Sequence, residues 1–117
     1  MGIGIYNGNT YPRVDSFTIA AKERKIKLTQ FSRINELPNT REVVLPEVFV
    51  VNPLPCLEED YWAKIRGCVQ SHPDTRFFVL AFGGIEDYAQ KFLGEQKNVE
   101  YLTIRNDGIK KLMGLLD

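Results

Sequence analysis

Two uninterrupted apolar runs constrain this chain most: Val48-Phe49-Val50-Val51 and Phe77-Phe78-Val79-Leu80-Ala81-Phe82. A strand with one wet face alternates apolar and polar residues, so runs without alternation read as inner strands of a parallel sheet, covered on both faces. Gly2 to Tyr6 is a third short apolar run and ends in the turn-forming Asn7-Gly8-Asn9-Thr10. Two further segments alternate: Lys25 to Thr29, with Ile26 and Leu28 on one side, and about Val99 to Thr103. A strand with one wet side belongs at a sheet edge.

Between the strands the hydrophobic period changes from two to 3.6. Pro12 suits a first helical turn, and Val14, Phe17 and Ala21 share one face, which predicts a helix over 12–24. Leu57, Tyr61, Ile65, Cys68 and Val69 predict a helix over 57–70, and Ile85, Tyr88, Ala89, Phe92 and Leu93 one over 85–94. Asp107-Gly108 opens a last helix over 107–116, carrying Ile109, Leu112, Met113 and Leu116. From Ser32 to Leu45 the pattern weakens to one or two turns at Ile34 and Leu37 that Pro38 stops. Five strands alternating with helices give an α/β protein with a three-layer architecture: an open parallel sheet of order 2-1-3-4-5 with helices on both faces. In that order chemistry gathers beyond the carboxyl ends of strands one and three, so Asn7 and Asn52 are expected to face each other.

Composition narrows the function classes. The 117 residues form one domain, 1–117, and the 44% apolar content supports a packed core. Lys plus Arg is 15 and Asp plus Glu is 15, so no basic excess exists to neutralise nucleic-acid phosphates. Two cysteines and one histidine are too few for a closed zinc site. No apolar run reaches the length of a membrane span, because Pro46, Asn52 and Gly83-Gly84 interrupt the candidates. The first residues lack a basic stretch and a long apolar run, and Tyr6 stands where a myristoylation signal needs Ser or Thr. A cytoplasmic location is expected, with neither nucleic acid nor membrane as partner.

The strand-end residues read two ways each. Asn7, Gly8, Asn9 and Thr10 could present backbone N–H groups and a hydroxyl to a phosphate, or serve as a turn and helix cap. Asn52, before Pro53-Leu54-Pro55, is a hydrogen-bonding residue, since an amide neither accepts a phosphoryl group nor acts as a base at neutral pH. Gly83-Gly84 either admits a ligand to the backbone or makes a tight turn. His72, in Ser71-His72-Pro73-Asp74, reads as a solvated loop histidine, Cys56 and Cys68 as structural, and Trp62 as partly exposed beside its helix's apolar stripe. Glu58-Glu59-Asp60 complements a helix N-terminus and requires no metal.

With these residues placed, the chain resembles the receiver domain of bacterial response regulators along nearly its whole length. Leu54-Pro55 and Ile65-Arg66 are similar to the family's Met-Pro and Ile-Arg, and Tyr101-Leu102-Thr103-Ile104 is similar to its aromatic-x-x-Lys. In that register the acidic pair falls on Asn7-Gly8, the phospho-accepting aspartate on Asn52, the switch hydroxyl on Phe82 and the lysine on Ile104, beside Arg105; only the switch aromatic, Tyr101, matches. The resemblance implies a flavodoxin/receiver-like fold used as a pseudo-receiver: no enzyme, no cofactor, no metal, no aspartyl phosphorylation. It also implies a partner surface at Tyr88, Lys91, Tyr101 and Arg105, for another protein or for self-association as a homodimer. A second resemblance covers fragments: Gly8-Asn9-Thr10 and Phe82-Gly83-Gly84-Ile85-Glu86-Asp87-Tyr88 are similar to the phosphate loop and the isoalloxazine-side loop of flavodoxins. It implies FMN binding and electron transfer as the alternative.

Overall fold

The computed structural model describes residues 2–8, 12–82, 84–103 and 105–117. Five parallel strands run β1 Gly2–Asn7, β2 Lys27–Phe31, β3 Val48–Asn52, β4 Arg76–Leu80 and β5 Val99–Leu102. They lie in the order β2-β1-β3-β4-β5. Three helices lie between strands, α1 Pro12–Glu23, α2 Glu59–Ser71 and α3 Glu86–Leu93, and α4 Gly108–Gly114 follows β5. The weak stretch after β2 holds a single 3-10 turn, Ile34–Glu36, and then irregular chain up to β3. This is the three-layer α/β arrangement, with sheet order 2-1-3-4-5, that the period switching predicts.

The two-residue period of the strands sorts the core into two halves. Phe49, Val51, Phe77 and Val79 point to the side covered by α2 and α3, where Tyr61, Trp62, Ile65, Val69, Ala89 and Leu93 pack. Ile3, Ile5, Val48, Val50, Phe78 and Leu80 point to the side covered by α1 and α4, through Val14, Phe17, Ala21, Leu112 and Leu116. β3 is buried at every position whereas β2 is half wet, which is why only the inner strands are uniformly apolar.

Gly4 of β1 has a packing reason. It pairs with Phe49, and a Cβ on it would lie 2.4 Å from the Phe49 ring. The missing side chain lets that ring lie over β1, 5.8 Å from Phe31 and 5.4 Å from Phe77 between centroids, an aromatic row that runs from β2 over β1 to β3 and β4.

Several expectations are corrected. β4 ends at Leu80, so Ala81 and Phe82 belong to the exit from the strand, although Ala81 N–H still reaches the Leu102 carbonyl. Lys25 is no strand residue: at φ 58 it terminates α1, with its N–H on the Lys22 carbonyl and Ile26 N–H on the Ala21 carbonyl, a Schellman closure with lysine at the left-handed position. α2 begins at Glu59, leaving Leu57 62% exposed and off the helix. Trp62 is fully buried, stacked on Phe92 at 6.1 Å, because its indole N–H finds the Cys56 carbonyl at 2.8 Å and so enters the core satisfied.

His72 is buried, where sequence position alone predicts a solvated side chain. Its Nδ1 lies 2.8 Å from the Cys68 carbonyl and its Nε2 2.7 Å from the Val43 carbonyl, so the ring pins the irregular 37–47 segment to the end of α2. Ser71 and Thr75 hydroxyls do the same for the Asn39 and Pro46 carbonyls. A segment with no ladder of its own thus has its carbonyls taken by side chains from a neighbouring turn.

Candidate strand-end site

β1 and β3 are in register to their last residues, so Asn7 is paired with Asn52. The Asn52 side-chain amide donates to Asn7 Oδ1 at 2.8 Å, and Gly8 N–H donates to the Asn52 backbone carbonyl, also at 2.8 Å. Asn52 is buried at 4% exposure, Asn7 and Gly8 partly. The strand end is therefore closed by two neutral amides facing each other, as the sheet order predicts. Gly8 has a packing reason: a Cβ there would meet the Tyr6 hydroxyl at 2.5 Å. Its N–H is committed to Asn52, so it is not aimed at an anion.

Beneath this pair lies a polar cluster that sequence reading missed. The Tyr6 and Tyr61 hydroxyls are 2.9 Å apart, and Leu54 N–H donates to the Tyr61 oxygen at 2.8 Å. Both rings are buried, and that burial raises both hydroxyls above the ordinary tyrosine range. The chain after β3 is folded against α2 by the same device: Cys56 N–H reaches the Leu54 carbonyl, Trp62 holds the Cys56 carbonyl, and Glu58 N–H donates to Cys56 Sγ at 3.3 Å. Cys56 and Cys68 are both free thiols in packing roles, and burial pushes Cys68 up to about 12. The one available sequence signal for the cluster was that Tyr6 and Tyr61 carry a hydroxyl at positions the pattern counts as core.

Asn9, Thr10 and Gly83 of the expected ligand loops lie outside the described residues, as does Ile104. Gly84 has φ +84, a conformation few other residues adopt. Beyond β5, Asn106 closes a turn, accepting from Thr103 N–H at 2.9 Å and donating to the Tyr101 carbonyl at 2.8 Å. Among the described residues no three His, Cys, Asp or Glu side chains converge on a common point that could hold a metal ion. The amides and phenols that do converge can donate and accept hydrogen bonds; none is a nucleophile or base at neutral pH.

Of the expected interaction residues, Tyr88 on α3 is 41% exposed, and Lys91 and Arg105 are exposed. Lys91 holds its ammonium 5.8 Å from the Phe92 ring centroid. Tyr101 is half-buried, its hydroxyl 3.5 Å from the Ala89 carbonyl and pushed up to about 12 by that burial. It forms one wall of a groove of about 650 Å³ between the end of α3 and β5, with Gln90, Gln96, Lys97 and Val99. The structure thus brings Tyr101 against α3 and leaves Tyr88 as the outward aromatic.

No family model and no curated protein matches the chain. One solved structure does, a crystal structure described as an adenylate cyclase from Rhodopirellula baltica, with a TM-score of 0.58 and 15% identity over 98% of this chain and 88% of that one. At that identity the likeness shows the shared fold and nothing finer. No helix of the described residues is long and apolar enough to cross a membrane.

Proposed function

We propose that this chain is a non-catalytic, receiver-like regulatory module that acts in the cytoplasm through contact with another protein or a second copy of itself, without aspartyl phosphorylation. The observation that carries the reading is the Asn7–Asn52 amide pair. At the end of β3, where the receiver resemblance puts the phospho-accepting carboxylate, stands a buried amide already engaged by its neighbour on β1. An amide there forms no acyl phosphate, and Asn7-Gly8 supplies no charge for a magnesium ion. What remains of the switch architecture is its surface, with Tyr88, Lys91 and Arg105 exposed and Tyr101 half-buried against the Ala89 carbonyl of α3. Aromatics beside cationic side chains are the groups that anchor protein interfaces.

Incubation with a small phosphodonor and magnesium, followed by intact mass, is expected to show no phosphoryl adduct; an adduct on Asp or Glu near the strand ends sinks the proposal. FMN added to the protein is expected to elute with the small-molecule fraction in gel filtration, whereas a retained yellow band would promote electron transfer. The surface is tested by combining Tyr88→Ala with Arg105→Glu. Partner capture or dimerisation that survives this change, in a chain still folded by circular dichroism, would move the interface elsewhere.

A further inference from the structure

We infer that Asn7 is a self-modification site: its side-chain amide is set to hydrolyse to aspartate or isoaspartate through Gly8, and Asn52 holds that conversion off. The sequence Asn7-Gly8 places behind an asparagine the least hindered backbone N–H a chain can offer. Gly8 cannot be exchanged for a slower follower at no cost, because a Cβ would strike the Tyr6 hydroxyl. Packing at the strand end therefore imposes the reactive dipeptide. The facing asparagine is inert to the same reaction, since Asn52 precedes Pro53, whose nitrogen carries no hydrogen.

The chemistry balances with water alone. Gly8 N loses its proton and attacks Asn7 Cγ, the Cγ–Nδ2 bond breaks, ammonia leaves with the proton, and a five-membered succinimide forms. Water then opens either carbonyl of the ring, giving aspartate or isoaspartate, so the net change is amide plus water to carboxylic acid plus ammonia, with no redox step.

Both reacting ends are held by one residue of the next strand. The nucleophile, Gly8 N–H, is bonded to the Asn52 carbonyl, and the electrophilic side chain of Asn7 is turned toward Asn52 Nδ2, each at 2.8 Å. Ring closure requires both bonds to open and Asn7 to leave its ladder pairing with Asn52. Partial exposure of Asn7 and Gly8 gives water access once that happens. Conversion is then irreversible and leaves a mark: a new negative charge against buried Asn52, or, in isoaspartate, an extra backbone methylene between residues 7 and 8 that breaks the β1–β3 register. The strand end thereby records how often it has opened.

The test is peptide mapping of the full chain after incubation in mildly alkaline buffer, with fragment-resolved mass spectrometry to separate Asn7 from Asn9. In urea, Asn7 is expected to be the first asparagine to convert; in the folded chain its conversion should be about tenfold slower or more, the mark of a reaction that waits for local opening. Asn52→Leu and Asn52→Ser, each checked for fold by circular dichroism, remove the side-chain bond and leave the backbone one; they should raise the folded-state rate severalfold without reaching that in urea, and Asn7→Gln should abolish the signal. Equal rates in buffer and urea for the unaltered chain would overturn the inference. So would folded Asn52 variants that keep Asn7 at its original rate; if neither variant folds, the buffer-against-urea comparison alone decides.

Discussion

Removing the Tyr61 hydroxyl should cost more than removing that of Tyr6, and the two losses should not add. Tyr61 Oη serves two partners, Leu54 N–H and the Tyr6 hydroxyl, whereas Tyr6 Oη is bonded to Tyr61. Tyr61→Phe therefore leaves a buried hydroxyl and a part-buried N–H unmet, at roughly 1–3 kcal/mol for each such group, so about 2–6 kcal/mol in all. Tyr6→Phe leaves Tyr61 its bond to Leu54 and is expected to cost about 1–2 kcal/mol. In the double variant no hydroxyl is stranded and only the Leu54 N–H is unmet, so its cost should not exceed that of Tyr61→Phe alone, a coupling of at least about 1 kcal/mol. Urea unfolding at neutral pH measures all three, with an unchanged slope showing that only stability moved. In a thermal scan each kcal/mol should appear as roughly 4 °C. Strict additivity, or a Tyr61→Phe effect within about 0.5 kcal/mol of zero, would refute the reasoning. Alkali gives an independent check on the same pair. Burial raises Tyr6, Tyr61 and Tyr101 above the ordinary value of 10.0, so the folded chain keeps protons that the unfolded chain releases. The sign follows: this contribution is fully present below about pH 10 and is lost as pH climbs above it. Ultraviolet titration should show these phenols ionising late, in step with unfolding.

Gly4→Ala should destabilise by about 1–3 kcal/mol, since the new methyl meets the Phe49 ring at 2.4 Å; a neutral result in urea unfolding would mean that the aromatic row shifts freely. Lys25→Gly should stabilise by up to about 1 kcal/mol, because it relieves a left-handed lysine at φ 58; a loss of stability would show that the lysine stem packs usefully. His72→Leu removes the ring that sits between the Cys68 and Val43 carbonyls and should cost about 1–3 kcal/mol, with faster hydrogen exchange at Arg76, whose N–H is held by the Glu47 carbonyl, as the 37–47 segment loosens; unchanged exchange there would remove His72 as its anchor.

The unbroken runs at β3 and β4, the wet alternation of β2 and β5 and the helical stripes between them dictated the parallel sheet and its order, because burial on two faces, one face or one stripe each leaves its own period in the sequence. The same order placed Asn7 opposite Asn52, since register at the strand ends follows from where the apolar runs stop. Period cannot report partners that come from distant elements. The Tyr6–Tyr61 bond joins residues 55 apart, and His72 meets Val43 across 29. Whether a tyrosine, tryptophan or histidine can be buried depends on an acceptor or donor arriving from elsewhere, so Trp62 and His72 looked wetter in the sequence than they are. Gly4 and Gly8 show the same division. The sequence marks both as positions without a side chain, and only the folded packing of Phe49 and Tyr6 supplies the reason.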